Sequence, residues 1–126
     1  MENNIKIMDP NWDYFNGIEY INIDFRGITD DDEKINIVGK SVEMGLKKPD
    51  NSIRALLIVK GSKTTPSAMR VMKKEGKKVQ SKMKKSAVVG SVGILSLLLR
   101  IYVAYTGSTM RFFTDEEAAL KYITSD

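Results

Sequence analysis

At 126 residues the chain is one domain's worth of sequence, long enough to bury a sizeable core without cross-links. It contains no cysteine and no histidine, which removes disulfides, thiolate metal sites, the commonest zinc ligands and every Ser-His or Cys-His arrangement. A non-enzymatic protein with no cofactor and no metal is therefore expected. The net charge of +4 is unevenly spread, since residues 1–59 carry 11 acidic and 7 basic side chains and residues 60–126 carry 5 and 13, so the basic second half asks for an explanation.

Residues 1–11 read as an N-terminal extension, either an extra strand or a disordered segment. The start MENNIKIMDPNWDYF lacks a basic segment followed by an apolar one, so no signal peptide is expected and the cytoplasm is the expected location. From Trp12 to Phe25, Asn16-Gly17 separates two alternating runs rich in aromatic and β-branched residues. That is the signature of a hairpin with a type I′ turn, in which both turn residues need positive φ. On its second strand Ile21, Ile23 and Phe25 are expected to face the core.

A helix over about residues 30–46 follows, with carboxylates in its first turn where the helix dipole favours them and Ile35, Val38, Val42 and Leu46 at helical spacing. Its acidic run, Asp30 to Glu33, points in several directions and reads as a solvated N-terminus rather than a cation site. The run ALLIV at 55–59 reads as a strand buried on both faces. Thr65 and Pro66 then open a basic helix as N-cap and first helical residue. The expected apolar stripe of that helix is Ala68, Met72, Val79 and Met83, with Lys73, Lys74, Lys77 and Lys78 on its basic face and Gly76 weakening its middle.

SAVVGSV at 86–92 has strand composition, and Gly93 is placed to turn the chain into an apolar helix at 94–105. A membrane span needs about 20 continuous apolar residues; two glycines and Arg100 interrupt this one, so no transmembrane segment is expected. Gly90 and Gly93 lack the third glycine and the acidic partner of a dinucleotide fingerprint and read as a tight turn. TMRFF at 109–113 reads as the last strand, and Thr114 with Glu117 as a capping box opening the final helix, DEEAALKYI. The expectation is a single α/β domain over 1–126, with a mixed, mainly parallel sheet of about five strands, an N-terminal antiparallel hairpin and four helices.

Three surfaces are candidates for function. The loop Lys60-Gly61-Ser62-Lys63-Thr64-Thr65 lies at a strand's carboxyl end and a helix N-terminus, where an anion or a phosphoryl group is tolerated. Helix 94–105 is apolar nearly all round, so Leu95, Leu98, Leu99, Tyr102 and Tyr105 are candidates for a dimer interface, intramolecular cover or an apolar ligand. The lysine face suits an anionic membrane surface or head group; nucleic acid is disfavoured because no aromatic side chain is interleaved with the lysines.

The segments YFNGIEYINIDFRGIT, SAVVGSVGI and MRFFTDEEAALKYI resemble the SpoIIAA-like proteins of the STAS group over about residues 14–123. The resemblance implies a (β/α) superhelix of SpoIIAA-like type, shared in outline with CRAL-TRIO lipid-binding domains. It also implies an interaction or regulatory module that binds a protein partner or a second copy of itself. In anti-sigma-factor antagonists of that group a serine in a D-S-x-G element is phosphorylated. The matching place here is residues 60–65, with Ser62 the nearest positional equivalent; the aspartate is absent and lysines flank the serine. The alternative expectation is a carrier or sensor of a lipid or other apolar anionic ligand.

Overall fold

The computed structural model describes residues 9–93, 96 and 110–126. Five strands form one sheet in the order β1-β2-β3-β4-β5, comprising β1 (Asn11–Phe15), β2 (Ile18–Asp24), β3 (Ile53–Ile58), β4 (Met83–Val89) and β5 (Met110–Phe113). β1 pairs antiparallel with β2, and every later pairing is parallel. Among the described residues there are three α-helices, α1 (Asp31–Leu46), α2 (Pro66–Lys77) and α3 (Glu116–Ile123), and a short 3-10 turn, Gln80–Lys82. The fourth helix expected at 94–105 lies, apart from Ser96, outside the described residues.

The hairpin forms for the reason its sequence gives: Asn16 and Gly17 have φ of 51° and 78°, and Phe15 pairs directly with Ile18 across a two-residue turn. Asn11 already belongs to β1, so the sheet takes up the end of what reads in sequence as an extension. β3 is the central strand. Its Ile53, Ala55 and Val59 side face α1 and α2, while Leu56 and Ile58 pack with Tyr20, Ala87, Val89, Ala119 and Ile123 beneath α3. Both faces of the sheet are thus covered, as parallel pairing requires. That is why Tyr20 is buried as well as Ile21 and Phe25.

Four expectations are corrected. The basic helix stops at Lys77 rather than running on to Met83, because β4 begins at Met83 and pairs with Ile53; the ladder claims residues whose spacing also suits a helix. β4 correspondingly ends at Val89, and Val92 and Gly93 are already helical. The cap of α3 is Asp115, whose carboxylate accepts from the Ala118 amide at 2.9 Å, one residue later than the expected Thr114 box. On α1 the buried row is Lys34, Ile37, Ser41, Val42 and Gly45, whereas Leu46 is 47% exposed. The helix is turned toward Gly45 because Val79 and Ile53 press against that position.

The far face is fastened by two cations. Arg54, 9% exposed on β3, donates through Nη1 to the carbonyls of Ile123 at 2.6 Å and Ser125 at 2.9 Å, and through Nη2 to Asp126 Oδ1 at 3.1 Å. Lys85 Nζ donates to the Ser125 carbonyl and hydroxyl, each at 2.8 Å. Orphan carbonyls at the end of α3 thereby find cationic donors, which also suit the negative end of the helix dipole.

The two glycines of α1 make opposite demands. A Cβ added to Gly45 would stand 2.7 Å from Val79 Cγ2 and 3.1 Å from Ile53 Cδ1, while one added to Gly39 meets nothing within 4 Å. Gly45→Ala is therefore expected to destabilise the protein by about 1–3 kcal/mol through overpacking. Gly39→Ala should stabilise it by up to about 1 kcal/mol through helix propensity. Urea denaturation midpoints of the two variants check both signs.

Candidate functional site

Between α1, α2 and the sheet lies a cavity of about 330 Å³. Its floor is built from the inward positions of four strands, including Ile21 and Ile23 of β2, Ala55 and Leu57 of β3, and Val88 of β4. One wall is Val38, Ser41, Val42 and Gly45 of α1; the other is Met69, Met72, Lys73 and Gly76 of α2. The hollow has a compositional cause. Ala55 and Ser86 sit side by side in the β3–β4 register at the centre of the sheet, and Ser41, Gly45 and Gly76 line it from the helices. Short side chains on both sides of one interface leave space that larger ones would fill.

Beside Ser41 and Ser86 along its length, the cavity has polar groups at both ends. Asn51, Gln80 and Lys84 line the end where β3 and β4 begin, and Ser62 and Thr64 line the end where β3 finishes. Ile53 pairs with Met83 and Arg54 with Lys85, so Lys84 is an extra residue in β4. Such bulges re-aim side chains, and this one puts Lys84 in the lining, 3.8 Å by its Nζ from Asp126 Oδ1. Lys73 and Lys84 are the charged residues among the described lining, so the cavity is apolar with a positive bias. The basic face expected on α2 is divided: Lys73 is half-buried toward the cavity, and Arg70, Lys74, Lys77 and Lys78 are exposed, with Lys78 paired to Glu75 at 2.9 Å. Val71 is an exposed apolar residue among them.

The loop at 60–65 is a latch between the two helices. Ser62 is 9% exposed, and its hydroxyl donates to the Ile28 carbonyl at 2.8 Å. Lys34, with no exposed surface, reaches across from α1: Nζ donates to the Lys63 carbonyl, lies 3.5 Å from Ser62 Oγ and pairs with Asp31 Oδ1 at 3.2 Å. Asp31 also accepts from the hydroxyls of Thr64 at 3.2 Å and Thr65 at 3.0 Å, and Thr65 Oγ1 in turn caps α2 by accepting from the Ala68 amide at 3.1 Å. The loop's hydroxyls are thus spent on α1 and on capping. Lys60 and Lys63 are exposed.

Lys34 and Asp31 form a latch that the sequence pattern did not bring out. The signal was present, since Lys34 is three and four residues before Ile37 and Val38 and falls on the buried stripe. A lone lysine there reads as solvated until its acceptors, supplied by a loop 29 residues away, are seen. The interface candidates Leu95, Leu98, Leu99, Tyr102 and Tyr105 lie outside the described residues. Among the described residues, no group of three or more acidic, His or Cys side chains could hold a metal ion, and no helix is long and apolar enough to cross a membrane.

The Asp31 carboxyl is held below its usual range, first by the hydrogen bond from Thr65 and then by Lys34 and Thr64. A depressed carboxyl stabilises the fold above its unfolded pKa and loses that contribution as pH falls through the lowered folded value. Asp31→Asn should therefore be less stable than the parent at neutral pH, with the gap closing on acidification below the ordinary carboxylate range. Denaturation midpoints measured across that range test the latch.

No protein-family model matches the chain, and no curated protein matches it. Among solved structures it is similar to an uncharacterised protein of the DUF3478 family with a SpoIIAA-like fold from Shewanella loihica, at 21% identity and a TM-score of 0.65, with 98% of each chain covered. The likeness extends over nearly the whole chain, and the fold of this protein is SpoIIAA-like.

Proposed function

We propose that the chain is a non-enzymatic binding module that holds an apolar, anionic small ligand between α1, α2 and the sheet. The observation that carries this reading is the cavity of about 330 Å³, apolar along its length and bordered by two lysines. Its volume falls within the range of about 300–1,000 Å³ typical of small-molecule sites, and such sites combine apolar walls with a few placed polar groups. Aliphatic floor residues supply affinity through burial of apolar surface, about 25 cal/mol per Å² removed from water. Lys73, half-buried toward the cavity, selects the sign of the polar end. The exposed lysines of α2 suit delivery from an anionic membrane surface, each contributing about 1 kcal/mol near such a surface. A cytoplasmic location fits this role.

Native mass spectrometry of freshly purified protein, together with titration by the apolar dye anilinonaphthalene sulfonate, tests the reading. The expected result is a co-purifying adduct, or saturable dye binding with a stoichiometry of one. Absence of both would remove it.

A regulatory module that binds a protein partner or a second copy of itself is the other reading, favoured by one observation. Thr65 is exposed at the N-cap of α2 and bonded to Asp31 of α1. A phosphoryl group there adds about −1.5 to −2 charge beside a carboxylate and opposes the latch. Thr65→Glu should accordingly lower the thermal midpoint and raise amide exchange at the start of α1, while Thr65→Ser leaves both near the parent values. Equal behaviour of the two variants would count against a switch at this position.

A further inference from the structure

Methionine is concentrated at the cavity. Five of the described residues are methionine, and four of them, Met69, Met72, Met83 and Met110, line it, while Met44 does not. Met83 and Met110 come from β4 and β5, and Met69 and Met72 from α2, which leads from β3 to β4. The lining supplied by β2 and α1 is of another kind. Ile21, Ile23, Val38 and Val42 stand there, and a β-branched side chain is held to few χ1 rotamers. Methionine is unbranched, turns about three bonds and carries a polarisable thioether, so it fills irregular space and packs well against aromatic rings.

Burial separates the four. Met69 has no exposed surface and belongs to the core cluster of Phe25, Ile37 and Val88. Met72, Met83 and Met110 are half-buried. Two of these three adjoin the short residues that open the hollow. Met110 stands beside Ser86 in the β4–β5 register, and Met72 lies four residues before Gly76 on α2, the spacing of neighbours on one helix face. A Cβ added to Gly76 would meet no heavy atom within 4 Å, so a flexible side chain next to it has room to change rotamer.

We infer that the cavity is a broad-specificity site with one stiff side and one adaptable side, in which Met72, Met83 and Met110 repack around the apolar anion that enters. The β2 and α1 side chains give a fixed surface to bury against, and the methionines take up differences in ligand outline. Apolar area and negative charge then decide binding, and shape counts for little. The inference rests on the cavity-binding reading above.

The test is displacement of anilinonaphthalene sulfonate from the full chain by three anions of similar size and different outline: laurate, a flexible chain; biphenyl carboxylate, a rod of two rings; and adamantane carboxylate, a compact cage. On the parent protein the three should compete within about tenfold of one another, since a misfit in a stiff interior costs at least that much. Replacing Met72, Met83 and Met110 together by isoleucine keeps the apolar character and stiffens the adaptable side, and should widen the spread by about tenfold more. With methyl-labelled methionine, each anion should move the ε-methyl resonances of Met72, Met83 and Met110 of the parent in its own pattern and leave Met44 in place. If the dye binds but one anion outcompetes the others by far more than tenfold, or the folded triple variant keeps the parent's spread, or all three anions give one methyl pattern, adaptability is overturned while the cavity reading stands. Should the triple variant fail to fold, the parent's competition and methyl spectra decide. If neither the dye nor any of the anions binds the parent, both fall.

Discussion

Strand β3 is the constraint on which the other elements depend. It pairs in parallel on both sides, with β2 and with β4, and parallel neighbours must be joined by crossovers rather than tight turns. Right-handed crossovers place α1 and α2 on one face. α3, which follows β5, covers the opposite face through Ala119 and Ile123. A strand so enclosed must be apolar throughout or find partners for what is not. Leu56 and Ile58 satisfy the first condition, and Arg54, bonded to the final carbonyls of α3, satisfies the second.

The two faces are finished differently. Beneath α3 the core closes tightly around Leu56, Val89, Ala119 and Ile123, with the rings of Phe113 and Tyr122 tilted against each other at its edge, centroids 5.7 Å apart. On the other face α1 and α2 touch at the latch of Lys34, Asp31, Thr64 and Thr65 and at Gly45 with Val79, and the sheet between these points carries Ala55 and Ser86. Two helices fixed apart over a floor of short side chains leave a cavity. The latch does more than join loops, since a lysine without exposed surface is tolerated only where acceptors surround it, and these acceptors hold the helices in place.

Much of this architecture is legible in the chain. Asn16-Gly17 announces its own turn because so few residue pairs accept two positive φ values in succession. The apolar run around residues 55–59 announces a strand covered on both sides, and Thr65-Pro66 announces a helix start. The failures have one cause, competition between local and non-local demands. Val79 and Met83 continue a helical stripe on paper, but pairing with Ile53 draws Met83 into β4 and leaves Val79 to pack on Gly45. Ser62 reads as an accessible hydroxyl in a loop, yet the Ile28 carbonyl takes its proton and the surrounding elements bury it.

Sequence by itself determined the class of fold, the order of strands and helices, the hairpin and the absence of cysteine and histidine chemistry. These follow from short-range spacing, turn residues and composition, which act within a few residues of one another. Only the tertiary structure decided that Lys34 is buried, that Lys73 and Lys84 border one hollow, and that Gly76 faces open space while Gly45 is filled by Val79. Each of those depends on which distant segment lies opposite, and a pattern along one chain carries the spacing of its side chains but not the identity of the surface they meet.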